Sequence, residues 1–212
     1  MITVWTMCTG DQYPLKYVDR LWRMVKRNLT LPHRFICITE HQIEGWTHRP
    51  FCDYPGWWGK VSLFKPGVAA GPSLWLDLDV VITGSLDDLV TRYSGCELAM
   101  PWNWAKSGHG GCQSSVMVWK GNSAQQIWDE FDPAWAHWPP INRSGVLWGD
   151  QEWITHLRDK GRLNVTQIDP PLVQSYKYHC QNGVPDDCRV VVFHGEPKPS
   201  DVGDAWVKAT WC

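Results

Sequence analysis

No stretch of this chain approaches the roughly 20 consecutive apolar residues that a membrane-crossing helix needs, so no span is expected. An excess of one charge is missing too. Twenty Lys and Arg stand against 22 Asp and Glu, a formal net charge of −2, and the residues of each sign are mixed along the chain. That balance removes the signature of a polyelectrolyte binder, and nucleic acid is not expected as a partner. There is no Cys-x-x-Cys pair, which argues against structural zinc. Neither a Gly-x-Gly-x-x-Gly turn after the first strand nor a Walker-type loop occurs, which weakens dinucleotide and NTPase readings. Met1-Ile2-Thr3-Val4-Trp5 lacks the basic start of a secretory signal, so a cytoplasmic protein is expected.

What is present is a chain of 212 residues, enough for one domain with its own core, and an unusual 16 Trp. A Trp offers a flat apolar face and one N–H donor. Core is the default for any one of them; the surplus suits a stacking surface for sugar rings or bases, or an oligomer interface. The eight Cys are expected as free thiols, with Cys37, Cys8 and Cys96 packed as small apolar residues. Cys180 and Cys188 bracket a Pro/Gly-containing loop and would pair only in an oxidising compartment.

Residues 2–8 are β-branched and apolar, then break at Thr9-Gly10-Asp11, which predicts a strand and a loop. Apolar positions 15, 18, 21, 22, 25 and 29 predict a helix whose Arg and Lys residues form a solvated face. Residues 34–39 predict a second strand, completing a βαβ unit with a parallel pair. A short helix is expected over 57–64, and the run from Ser73 to Asp77 is apolar enough for a central strand covered on both faces. Residues 80–83 continue extended, and Ser85 is placed to cap a short helix. Later strands are expected at 97–101, 114–120, 163–168, 173–178 and 189–193, with helices at 122–131 and 150–159. A Gly-rich stretch at 107–111 and a Trp/Pro-rich loop at 132–140 separate them. The fold class is α/β, read as one domain over 1–212 with a parallel N-terminal half to residue 90 and a mixed half from 91.

Asp77 and Asp79 carry the chemistry. Ionised carboxylates are costly to bury unless paired or holding a metal. On an extended chain the two project to one side, a seat for Mg²⁺ or Mn²⁺, which favour oxygen ligands. The plainer alternative is a polar turn with both side chains in water. In open α/β sheets ligands lie beyond the carboxyl ends of the strands, which gathers Thr6 to Asp11, Thr39 and the Asp pair at one edge.

Leu76-Asp77-Leu78-Asp79-Val80-Val81, followed by Gly84-Ser85-Leu86-Asp87-Asp88-Leu89, resembles the DxD region of GT-A-fold glycosyltransferases. The nearest pattern is the glycogenin-like and galactosyltransferase-like family usually numbered eight. Further pieces follow in the same order: Thr6 to Tyr13 for the opening strand and uracil loop, Lys60 for a basic donor-binding residue, and Gln113-Ser114-Ser115-Val116-Met117 for an Asn-Ser-Gly-Val-Met strand. Gly149-Asp150-Gln151-Glu152 resembles its Asp-Gln-Asp motif, and Phe193-His194-Gly195-Glu196-Pro197-Lys198-Pro199 resembles its terminal His-x-x-Gly-x-x-Lys-Pro segment. Gln113 stands where Asn is common, Ser115 where Gly is common, and the His-Gly spacing departs from the pattern.

The resemblance implies a mixed, mainly parallel GT-A-like sheet and transfer of a sugar from a nucleotide-sugar donor, a UDP-sugar, with retention of configuration. It implies Mn²⁺ (or Mg²⁺) on Asp77, Asp79 and His194, and donor contacts from Thr6, Thr9, Tyr13, Lys60, Gln113 and Lys198. Asp150 and Gln151 would hold the sugar or stand beside its anomeric carbon. The acceptor stays open among saccharide, lipid and protein. Two other readings stand beside it: an inactive carbohydrate- or nucleotide-binding protein, and a phosphatase using Asp77 as nucleophile and Asp79 as acid. The latter normally has its Asp pair on the first strand with a Thr following, whereas here a βαβ unit precedes the pair and position 81 is Val.

Overall fold

The computed structural model describes residues 1–41, 47–49, 53–104, 111–136 and 147–212. Residues 107–110 of the Gly-rich stretch and 137–140 of the Trp/Pro-rich loop lie outside them. The β-branched opening forms β1 (Ile2–Met7), the amphipathic segment α1 (Lys16–Asn28), and the third run β2 (His33–Ile38), parallel to β1 in register from Ile2–His33 to Met7–Ile38. A short strand not expected from its polar sequence, β3 (Thr47–Arg49), adds outside β2. On the other side of β1 lies β4 (Pro72–Leu76), also parallel.

Next to β4 runs β7 (Val116–Lys120), the antiparallel member, followed by β6 (Leu98–Met100) and β8 (Val165–Gln167). The sheet order is β3-β2-β1-β4-β7-β6-β8. A smaller sheet orders β5 (Val80–Ile82), β10 (Val190–Val192) and β9 (Val173–Ser175). Both sheets draw strands from each side of residue 90.

Alternation along the strands divides the core into two layers. Val4, Leu74, Leu76, Val116 and Val118 face α1, α2 (Asp87–Tyr93) and the small sheet. Trp5, Ile36, Trp75, Met117 and Trp119 face a 3-10 helix (Gly56–Phe64) and α4 (Asp150–Asp159). Four Trp, at 5, 58, 75 and 119, are fully buried in the second layer. Along α1 the buried stripe is Tyr17, Val18, Leu21, Met24 and Val25, and Leu15 is exposed. Its cations are engaged rather than simply solvated: Arg20 lies over Trp211, and Arg27 donates to the Thr210 and Cys212 carbonyls.

Three expected elements differ. The helix at 122–131 shrinks to α3 (Gln126–Asp129), because residues 121–125 close turns in which Ser123 Oγ takes the Lys120 N–H and donates to the Glu97 carbonyl. The strand at 173–178 stops at Ser175, and Tyr176–Cys180 form one wide helical turn. Ser85 Oγ accepts the Asp87 N–H, but Leu86 holds the cap position of α2. A last helix, α5 (Ala205–Thr210), packs near β5. Cys180 and Cys188 are both buried free thiols, and Cys188 Sγ donates to the Val190 carbonyl. Among the described residues no helix is long and apolar enough to cross a membrane.

Candidate active site

A cavity of about 1140 Å3 opens where β1, β2 and β4 end, and the start of β7, the start of α4 and the segment after β10 complete its wall. β4 stops at Leu76. Asp77 and Asp79 therefore sit on the turn that joins the two sheets, anchored by Asp77 N–H on the Ser115 carbonyl and Phe193 N–H on the Asp79 carbonyl. The turn is the plainer alternative of the sequence reading, yet the carboxylates are not simply solvated. Asp79 is only 7 % exposed.

Each aspartate has its own lysine. Lys60, buried on the 3-10 helix, places Nζ 2.8 Å from Asp77 Oδ1 and 3.6 Å from Asp150 Oδ2. It also donates to the carbonyl and the hydroxyl of Ser114, both at 3.2 Å. Asp77 Oδ1 accepts the Trp75 indole N–H at 2.8 Å as well. Lys198 reaches Asp79 Oδ2 at 2.7 Å, and the Tyr13 hydroxyl donates to the same oxygen at 2.8 Å. One oxygen of each carboxylate, Asp77 Oδ2 and Asp79 Oδ1, makes no such contact among the described residues.

Burial pushes the Asp79 carboxyl above the usual range and Asp77 adds to this, against Lys198 and Tyr13. Burial likewise raises Asp150, against Lys60. For Lys60 burial acts to discharge the ammonium, but Asp150 and Asp77 outweigh it and keep the charge. Asp150 starts α4, and its Oδ2 is buried with no hydrogen-bond partner.

His194 lines the same cavity. Its Nε2 is 2.7 Å from Ser175 Oγ, and its ring is stacked between Trp104 and Tyr178, with centroids 5.9 Å away on each side. Burial, helped by Lys177 and Lys198, lowers its pKa to about 4, so the imidazole is neutral at pH 7. Among the described residues no three His, Cys, Asp or Glu side chains stand close enough together to hold an ion. His194 shares the cavity without joining the aspartates in a ready-made cage.

Of the remaining expected residues, Thr9, Tyr13, Lys60, Gln113, Asp150, Gln151 and Lys198 all line the cavity. Thr6 does not; it is fully buried inside β1. The Gln113 amide is spent on Ser115, donating to its hydroxyl and accepting its N–H, both at 2.8 Å. Gln151 Oε1 accepts the Ser114 N–H at 3.4 Å. Sequence reasoning missed Ser114, which joins Lys60 to Gln151, and Glu40, whose Oε1 takes the Gly10 N–H at 2.6 Å and closes the loop after β1. It also missed two aromatic rims. Trp57 and Trp148 line the cavity while staying 41 % and 42 % exposed. Gly149 lets the start of α4 approach closely, since a Cβ there would stand 3.3 Å from the Trp57 ring. The Trp surplus was the available signal, but nothing in spacing separates a rim Trp from a core one.

The chain matches no family model. No curated protein matches it by sequence. Solved structures do match. An active-site mutant of LgtC aligns over 98 % of this chain and 93 % of its own, with a TM-score of 0.63 and 12 % identity. LgtC in complex with donor and acceptor sugar analogs, described as a galactosyltransferase, aligns over 93 % and 88 %, with a TM-score of 0.56 and 14 % identity. The glycosyltransferase GlyE of Streptococcus pneumoniae TIGR4 aligns over 93 % of this chain but 56 % of its own, with a TM-score of 0.64 and 14 % identity. The fold is that of the GT-A glycosyltransferases. The mixed, mainly parallel sheet expected from the sequence is therefore the one present, with β7 as its reversed strand.

Proposed function

We propose that this GT-A-fold protein transfers a sugar from a nucleotide-sugar donor, a UDP-sugar, to an acceptor, with Mn²⁺ or Mg²⁺ held by Asp77 and Asp79. The observation that carries this reading is the charge of the cavity. Eight of its lining side chains are carboxylates and two are lysines, and both lysines are already paired. So acidic a site favours an anionic diphosphate that arrives with a cation.

The donor set fits a hard divalent cation, which typically takes one or two carboxylates plus phosphate oxygens and water. The uncommitted oxygens of Asp77 and Asp79 supply the carboxylates. When bound, such an ion acts as Lewis acid for the departing diphosphate. The chain's own residues do the rest: Lys60 fixes Asp77 beside Asp150, Lys198 and Tyr13 fix Asp79, and Gln151 and Asp150 face the space where the sugar would lie. Neutral His194 remains a third ligand to be tested. Retention of configuration and a cytoplasmic location are carried by the resemblance and the sequence alone.

The test is a thermal shift with UDP-sugars, with and without Mn²⁺. At 100 times Kd a ligand adds about 2.7 kcal/mol, which for a chain of this size raises Tm by about 5–10 °C. EDTA should remove that shift and stop UDP release together. No shift with any nucleotide sugar, and no UDP released, would sink the reading.

The aromatic rim supports a saccharide as acceptor, since indole faces meet the apolar faces of a pyranose while carboxylates meet its hydroxyls. Trp148→Ala should raise the acceptor KM about tenfold, a loss of about 1.4 kcal/mol, and leave the donor KM in place. An unchanged acceptor KM removes Trp148 from the site.

One observation favours a second reading, a nucleotide-binding protein without transfer. Lys60 and Lys198 already neutralise the aspartates, so a nucleotide diphosphate could be met by lysines without metal. Metal-independent binding without turnover would identify it. The phosphatase reading gains nothing from the fold, and Asp77 Oδ1 is tied down by Trp75 and Lys60.

A further inference from the structure

Asp79 Oδ2 depends on two donors from distant parts of the chain, Tyr13 ahead of α1 and Lys198 in the segment after β10. Neither lies on a strand. Tyr17, at the start of α1 and 4 % exposed, reaches both. Its ring stands 5.1 Å from the Tyr13 ring and, on another side, 4.9 Å edge-on to Trp211.

Its hydroxyl meets Ser200 Oγ at 2.8 Å. The single hydrogen of Ser200 is committed to Asp201 Oδ1 at 2.8 Å, a carboxylate that only accepts, so Tyr17 is the donor. Asp201 Oδ2 then accepts the backbone N–H of Lys198 at 2.9 Å, and the Asp201 N–H returns to the Lys198 carbonyl at 2.9 Å. A continuous path therefore runs from the Tyr17 hydroxyl through Ser200 and Asp201 to the backbone of the lysine that holds Asp79. The Lys198 N–H and the Ser200 hydroxyl hold the Asp201 carboxyl below the ordinary range, so the acceptor stays ionised at neutral pH.

We infer that Tyr17 is a positioning residue that sets both donors of Asp79 at once, Tyr13 through ring packing and Lys198 through Ser200 and Asp201. The effect on donor binding rests on the function proposed above; the effect on Lys198 itself does not. Tyr17→Phe keeps the ring and removes only the hydroxyl, and Ser200→Ala cuts the same path at an exposed residue that the core does not need.

The direct readout is trace acylation of the Lys198 amine with acetic anhydride, followed by mass spectrometry. In the native protein the amine is held on Asp79 with its side chain 17 % exposed. Both variants should label about two- to tenfold faster, the range corresponding to one ordinary hydrogen bond. The double variant should label no faster than either single one, because both cut one path. UDP affinity measured with Mn²⁺ should weaken by a similar factor. Unchanged Lys198 labelling in both variants overturns the inference, and a lowered Tm with unchanged labelling reduces Tyr17 to a packing residue. Faster labelling in a protein whose native form binds no UDP would overturn the nucleotide-sugar reading and leave the positioning role intact.

Discussion

Lys60→Met is expected to destabilise the fold by about 3–5 kcal/mol, the cost of removing one partner from a buried ion pair. At 2–4 °C per kcal/mol for a chain of this length, Tm falls by about 6–20 °C. The reason is local. Lys60 is the cation between Asp77 at 2.8 Å and Asp150 at 3.6 Å, and it also satisfies the carbonyl and hydroxyl of Ser114.

Without it, two carboxylates confront one another across a buried gap, and Asp150 already has its pKa raised by burial. A carboxyl whose folded pKa lies above its unfolded one destabilises the fold at high pH, and the penalty vanishes as pH falls below the unfolded value. The variant's deficit should therefore be larger at pH 8 than at pH 5. Adding Asp150→Asn should recover part of the loss at pH 8. Denaturant unfolding of the three proteins at both pH values checks this; a deficit independent of pH and of residue 150 would show that Lys60 acts by packing alone.

The division between what was legible in the sequence and what was not follows the range of the interactions. Strands β1, β2 and β4 and helix α4 announce themselves through apolar periodicity, since each buries a face or both faces in a layer. The Asp pair was legible because two carboxylates at the end of an apolar run contradict the local preference and demand a partner. Those partners lie far along the chain. Lys60 and Lys198 are 17 and 119 residues from the aspartates they hold, and a lone lysine carries no signal of its own; only a resemblance in motif order pointed to them.

The turns were lost for a related reason. Ser123 and Ser200 act through single hydroxyls on backbone or carboxylate groups, which leaves no periodic trace. The turn at Asp77–Asp79 was read as strand because alternation also puts the two residues on one side. Both do reach the cavity, but by a turn that carries the chain from one sheet to the other.

Asp79→Asn is expected to reduce Mn²⁺-dependent nucleotide affinity by at least about 100-fold, since even residues supporting metal ligands cost 10–100-fold when changed. The apo fold should keep its Tm within a few degrees. Asp79 is a carboxylate that burial and Asp77 already push toward its neutral form, so an amide of the same shape gives up the Lys198 pair but also sheds the cost of a buried charge. The Phe193 N–H on the Asp79 carbonyl, which ties the turn to the segment after β10, is untouched. The same variant separates the two functional readings. If the aspartates hold metal, isothermal titration with UDP and Mn²⁺ shows binding lost. If lysines alone meet the diphosphate, the change releases Lys198 from its carboxylate, and UDP binding without metal is retained or strengthened. Unchanged metal-dependent affinity would remove Asp79 as a ligand and leave Asp77 Oδ2 as the uncommitted carboxylate oxygen on this turn.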